Sequence, residues 1–260
     1  MSGTYSPAPA AAPLGRMVLA QARMETVLLL RNGEQLLLTL VIPLVLLLLL
    51  AGTDLVDVAG AGATSDETRT ATAIAGVLTV VVMSTAFTGL AIATGFERRY
   101  GVLRRLAVTP LPRSALLLGK AAAVLVVEVV QVLLVVGVGL ALGWSGQANW
   151  LGVALLVLTG TAAFAGLGML MAGTLRAEAT LAAANLVFIL LLLAGAAVVP
   201  VERYPEMLQP VLEVLPSAAL GEGLRAVIVD LGGVPWASLA VLAAWAAGGI
   251  GLAARYFRWE

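Results

Sequence analysis

Six apolar runs, each close to the roughly 20 residues a helix needs to cross a bilayer, recur along this chain of 260 residues. They cover about 36–52, 71–95, 115–143, 150–173, 180–199 and 236–254. Runs of that length and number do not fit a soluble core. A helix satisfies its own backbone polar groups in hydrocarbon, so the expected fold is all-α, an integral membrane bundle of six transmembrane helices. The first run is the shortest and is broken once by Pro43; it lengthens if its helix starts near Gln35. Composition agrees: 61% of residues are hydrophobic and 12% charged, against roughly 25% charged in a soluble domain.

The same composition excludes whole classes of chemistry. The chain has no Cys, hence no disulfide and no thiolate site, and no His, the usual general base and metal ligand. No metal site, no catalytic triad and no nucleic-acid partner are expected. A P-loop needs G-x-x-x-x-G-K-[ST]. The lone Gly-Lys, Gly119-Lys120, has Ser114 five residues earlier and Ala121 after it, so it is not one. Residues 1–13 show no basic region followed by an apolar one. They do not read as a signal peptide, and their Pro, Ala and Ser content predicts a disordered tail.

Charge sets the expected orientation. With the N-terminus inside, twelve of the fifteen basic residues fall on the inner side: Arg16, Arg23, Arg31, Arg98, Arg99, Arg104, Arg105, Arg113, Lys120, Arg176, Arg255 and Arg258. Only Arg69, Arg203 and Arg225 fall outside, with most of the acids. The positive-inside rule therefore places both termini in the cytoplasm. Trp144, Trp150, Tyr256 and Trp259 suit interfacial anchors.

Three segments between the spans have their own character. In 14–34, Leu14, Met17, Val18, Met24 and Leu28 share one side of a helical wheel and Arg16 and Arg23 the other, which predicts a helix lying on the inner membrane surface, with a cytosolic extension of the first span as the alternative. Glu25 sits at the edge of the apolar side. Segment 95–120, "GFERRYGVLRRLAVTPLPRSALLLGK", holds six basic residues and one acid. As one helix over 97–109, it places Val102, Leu103 and Leu106 on one side, with Glu97, Arg98, Arg104 and Arg105 opposite. Arg99 falls on the apolar side, and Pro110 and Pro112 end the helix. By charge alone it is a topology anchor touching lipid phosphates. Segment 200–235 is apolar but cut by Pro205, Pro210 and Pro216. It is read as a partly embedded pair of short outer helices, with an ordinary outer loop as the alternative.

One ionisable side chain lies deep in a run. Glu128, with Gln131 a turn later, is either a substrate-pathway or proton-handling carboxylate or a group hydrogen-bonded to a neighbouring helix. Ser84, Thr85, Thr88 and Thr94 either line a path or satisfy local backbone. Gly139, Gly143, Gly248, Gly249 and Gly251 are expected to serve close packing.

Residues 97–120 resemble the signature segment of ABC type-2 permeases, the membrane subunits of ATP-binding-cassette exporters. The matching positions are Glu97, Arg98, Gly101, Leu103, Thr109, Pro110, Gly119 and Lys120. A second resemblance lies before the last run, at Pro216 and Arg225. Length and span number fit, and the daunorubicin-resistance type of drug-efflux permease is the nearest in character. Val102 and Arg104 stand where the family often has Thr and an acid.

The resemblance implies a multi-pass protein of a bacterial plasma membrane, in contact with membrane lipid and paired with a second permease chain. It implies no cofactor on this chain. ATP and magnesium would sit on two copies of a separate P-loop ATPase. The 97–109 segment would be a coupling helix, with Glu97, Arg98 and Arg99 as polar contacts to the ATPase, Val102, Leu103 and Leu106 the buried side against it or against the N-terminal helix, and Gly101, Thr109 and Pro110 further coupling positions. Substrate-pathway candidates are Glu128, Gln131, Thr85 and Thr88; Gly119, Lys120, Pro216 and Arg225 are structural. The expected function is export of an amphipathic drug or lipid-like molecule. The alternatives are a lipid-linked glycan or glycolipid permease and an ion-coupled secondary transporter using Glu128. A secondary transporter predicts internal repeats, and no similarity between runs one to three and four to six is evident.

Overall fold

The computed structural model describes residues 12–31, 33–53, 65–194 and 201–256. Every α-helix and turn of helix among them belongs to one bundle. In chain order these are α1 (Leu14–Arg31), α2 (Gly33–Gly52), α3 (Asp66–Arg99), α4 (Val102–Ala107), α5 (Arg113–Ala141), α6 (Trp150–Thr174), α7 (Ala177–Ala194), α8 (Gln209–Leu212), α9 (Pro216–Ile228) and α10 (Trp236–Tyr256). Four are long and apolar enough to cross a membrane: α3, α6, α10 and the Ser114–Ala141 part of α5. The first and fifth predicted spans correspond to shorter apolar helices, Thr39–Gly52 and Ala177–Leu193. The predicted tail up to residue 11, the predicted span end at 195–199, and Arg258 and Trp259 lie outside the described residues.

Helix α3 is the axis of the bundle. Ser65 caps it, accepting the Thr68 N–H at 3.2 Å, and Asp66 and Glu67 stand in the first turn, where the helix dipole favours acids. From Thr70 to Met83 every residue is buried. The run is rich in Ala, Gly and Thr, whose small side chains admit neighbours closely. In this run each Thr hydroxyl is spent locally: Thr70, Thr72 and Thr79 donate to the carbonyls of Asp66, Thr68 and Ala75. Helices α2, α5, α6, α7 and α9 pack around it.

Glycines set two further contacts. A Cβ at Gly166 would lie 2.8 Å from the Ile250 nitrogen, and one at Gly249 3.0 Å from the Leu167 nitrogen, so α6 and α10 cross backbone to backbone. A Cβ at Gly168 would meet the Phe87 carbonyl at 2.8 Å. There α3 departs from α geometry: Met83–Gly89 is a π-helical segment, with the Leu90 N–H reaching back to Thr85. Gly139 is likewise a packing position, against Ile74, whereas Gly143 (φ 95°) turns the chain out of α5.

Segment 200–235 is the stretch read as a partly embedded pair of short outer helices or an outer loop. It contains one substantial helix, α9 of thirteen residues, preceded by a 3-10 turn at Val201–Arg203 and the single turn α8. Helix α9 is buried along almost its whole length, between α3, α6 and α10. Its register is fixed by α6: Gly152 meets Val227, Leu156 meets Gly223 and Gly160 meets Leu220. Pro216 therefore starts α9 halfway along α6, and α9 rises from there to the α6 N-terminus. Asn149 closes that end, capping α6 through Gly152 N (3.1 Å) and donating to the Gly232 carbonyl (3.1 Å). Pro216 begins α9, where its missing N–H costs nothing.

Helix α1 is the segment read as a membrane-surface helix. It packs along α5, but its buried residues are Gln21 and Glu25, while Leu14, Leu19, Met24, Val27 and Leu28 are exposed. The apolar stripe faces away from the bundle and a polar pair faces in.

Candidate functional site

The predicted helix over 97–109 is two pieces. Helix α3 ends at Arg99, where the Tyr100 N–H reaches the Phe96 carbonyl at 2.9 Å, and Gly101 takes a left-handed φ of 72° that favours glycine. Only then does α4 begin, and it lasts six residues. The Thr109 N–H and hydroxyl both close on the Leu106 carbonyl, at 3.0 and 2.6 Å. Pro110 and Pro112 end the segment as expected, with Pro112 extended at the start of α5. The single wheel failed because one left-handed residue rotates everything after it relative to everything before it.

Of the apolar face, Leu103 is fully buried, Leu106 is half-buried and Val102 is exposed. Arg104, Arg105, Val108, Thr109 and Pro110 point outward, Val108 with 87% of its surface accessible.

Charged side chains pin both sides of this exposed tip. Lys120, near the start of α5, is 2% exposed and lies 2.8 Å from Glu25 of α1 and 2.6 Å from Glu97 at the end of α3. Gln21 donates to Glu25 at 2.8 Å. A buried ammonium holds only where carboxylates surround it, so these contacts fix the three helix segments to one another. Gly119 lets them meet: a Cβ there would stand 2.7 Å from Gln21 Cβ and 3.3 Å from the Ala22 nitrogen. Lys120 and Gly119, expected to be structural, are therefore the seat of α1 on α5.

On the other side, Arg98 donates to the Leu175 carbonyl and Arg99 pairs with Glu178. The first tie reaches the short turn between α6 and α7, the second the first turn of α7. Glu97, Arg98 and Arg99, read from sequence as contacts to a partner, are thus engaged inside the chain. Gly95 is packed against Thr180 and Ala177, which draws α7 against α3 just behind them.

The interior candidates do not converge. Glu128 is fully buried and accepts the Thr161 hydroxyl from α6. Its other oxygen has no hydrogen-bond partner among the described residues. Gln131, a turn away, faces elsewhere: its amide donates to the Thr39 carbonyl of α2 at 2.8 Å and accepts from Thr85 at 3.1 Å. Thr85 lies in the π segment, so Gln131 joins α2, α3 and α5. Thr88, on the same segment, is half-buried. A separate apolar cavity of about 420 Å³ lies between the π segment and α6, α7 and α10, lined by Phe87, Leu170, Met171, Val187, Leu191 and Trp245, with Leu215 and Pro216 at its edge. Arg225 pairs with Glu222 at 2.5 Å on α9, and Glu222 also accepts the Val201 N–H at 3.0 Å. Pro216 and Arg225 thus belong to α9 and are far along the chain from the pinned tip.

Sequence reasoning missed Gln21, Glu178 and Thr161. Only Glu25 left a signal, as an acid on the apolar side of an amphipathic helix.

Long apolar helices, small-residue crossings and charge gathered at the bundle's ends define a multi-pass helical membrane protein. A family model described as ABC-2 family transporter protein matches residues 52–255, and the chain belongs to that family. Its members are membrane transport subunits, not themselves catalysts, that typically work with an ATP-binding subunit. No curated protein matches the chain in a sequence comparison.

Proposed function

We propose that this chain is the six-span permease of an ATP-driven exporter, with both termini in the cytoplasm of a bacterial cell and α4 as its coupling helix. One observation carries the reading. The exposed tip from Val102 to Pro110 is held on one side by the Lys120 contacts and on the other by Arg98 and Arg99. A push on that tip reaches α1, α3, α5 and the α6–α7 turn together. A partner P-loop ATPase, in two copies, would supply the push and hold ATP and magnesium; this sequence has no phosphate-binding loop of its own. Two permease chains would complete the pathway.

An amphipathic drug or lipid-like molecule is the favoured cargo, and the daunorubicin-resistance type the favoured subgroup. The apolar cavity beside the π segment supports this, because its walls offer dispersion contacts and almost no polar partner. Thr85, Thr88 and Gln131, on the π segment and its neighbour, remain the pathway candidates. Glu128 serves α5–α6 packing in this reading, through Thr161.

The test uses the permease co-purified with a P-loop ATPase from a neighbouring reading frame. Arg105→Glu with Val108→Asp changes exposed residues only. It is expected to lower the bound ATPase about tenfold without altering the permease's own elution. A complex recovered at the wild-type ratio overturns the coupling role of α4.

A further inference from the structure

An open cleft of about 580 Å³ lies where α3, α4 and the α6–α7 turn meet. Arg98, Arg99, Arg104 and Arg176 line it, with Glu178 the one acid, and Gly95 and Ala177 belong to the crossing of α3 and α7 behind it. Arg98 and Arg99 are engaged with Leu175 and Glu178. Arg104 and Arg176 make no hydrogen bond or ion pair among the described residues, so the cleft carries a surplus of positive charge that the chain does not neutralise.

We propose that this cleft binds the phosphate of an anionic phospholipid from the leaflet at the basic end of the bundle. The proposal rests on the inside-facing orientation given above. Three features choose a lipid over a soluble anion or an acidic protein segment. The first is depth: the cleft opens where the apolar helices α3, α6 and α7 end, which is headgroup level for a bilayer. The second is continuity. The α7 face that carries Ala177 and Glu178 goes on to Leu181, which is exposed, with Leu186, Ile189 and Leu190 exposed further along the helix; acyl chains have a surface to lie on. The third is Tyr100, 68% exposed at the rim, stacked on Phe96 at 6.1 Å and 6.0 Å from the Arg99 guanidinium, as an interfacial aromatic anchor stands. The planar guanidiniums of Arg104 and Arg176 suit a phosphate's oxygens. Glu178 does not repel it strongly, because Arg99 neutralises that carboxylate.

Bound there, the lipid ties α4 to the α6–α7 turn from the membrane side. The contact leaves the outward tip at Arg105 and Val108 open to a protein partner.

The test uses the isolated permease in detergent, with no ATPase present. Native mass spectrometry follows retention of phosphatidylglycerol and of phosphatidylcholine with the same acyl chains. The wild-type chain is expected to retain phosphatidylglycerol several-fold better. Arg104→Gln with Arg176→Gln is expected to weaken that retention on the order of tenfold, since each basic contact near the surface matters comparably. Arg255→Gln, at the same end but outside the cleft, is expected to leave it unchanged. Equal retention of the two lipids overturns the proposal, as does a double variant that binds like wild type. Inorganic phosphate competing as well as the lipid does would make the cleft a free-anion site and also overturn it. In a second preparation that carries the co-purified ATPase, Arg176→Gln releasing the ATPase while phosphatidylglycerol stays bound overturns the proposal and assigns the cleft to the protein partner. The coupling reading fails separately, by the Arg105 and Val108 variant, which leaves the lipid site intact.

Discussion

Lys120 shows how a single side chain organises the charged end of this bundle. Its ammonium, 2% exposed, lies between Glu25 and Glu97, which come from helices far apart in the chain. Removing the lysine leaves two carboxylates crowded together with no counter-charge. Lys120→Met is therefore expected to destabilise the bundle by about 3 kcal/mol, measured by thermal unfolding in detergent. Adding Glu25→Gln to Lys120→Met should recover part of that loss, because the second change removes one of the stranded charges. Additive losses would show that Lys120 and Glu25 are not coupled. From sequence, Lys120 reads as a motif residue and Glu25 as a blemish on an amphipathic wheel. Each explains the other, but nothing in one sequence pairs positions 95 residues apart.

At the scale of elements, glycine placement decides which helices touch. Gly166 and Gly249 bring α6 and α10 into backbone contact, and Gly168 presses on the π-segment carbonyls of Ala86 and Phe87. Gly166→Val is expected to cost roughly 1–3 kcal/mol, because the listening atoms on α10 are backbone and cannot swing away. Gly248→Val, on the same helix where a Cβ meets nothing within 4 Å, should leave the unfolding temperature of the isolated chain unchanged. The two curves measured side by side check the assignment; equal losses would contradict the crossing. The apolar runs themselves were legible, as were the prolines that close the α4 segment. The break at Gly101 was not, since a glycine inside a helical pattern signals either tolerance or a turn, and only the φ of 72° decides.

Across the whole molecule, charge is polarised along the bundle. Arg98, Arg99, Arg104, Arg105, Lys120 and Arg176 gather at one end, while Glu67, bonded to Ser145 N at 3.1 Å, and Asn149 mark the other. The chain has no native Cys, so single cysteines report topology without background. Val108→Cys and Met207→Cys both replace residues that are 87% exposed. A membrane-impermeant maleimide added to intact cells is expected to label position 207 and spare 108, and inverted vesicles should reverse the pattern. Labelling of both from the same side would refute the proposed orientation.

What the sequence determined by itself follows from local chemistry. Apolar runs of spanning length require helices in a membrane, since a helix satisfies its own backbone polar groups there. Prolines at 110, 112 and 216 mark boundaries because they restrict their own backbone. Tertiary structure alone decided the rest: that Glu25 and Glu97 share Lys120, that Glu128 binds Thr161 while Gln131 turns to Thr85 and Thr39, and that α9 begins at mid-height on α6. Each of these joins residues distant in sequence, and the energy of a buried polar group depends on which partner reaches it, a quantity that no periodicity along one chain contains.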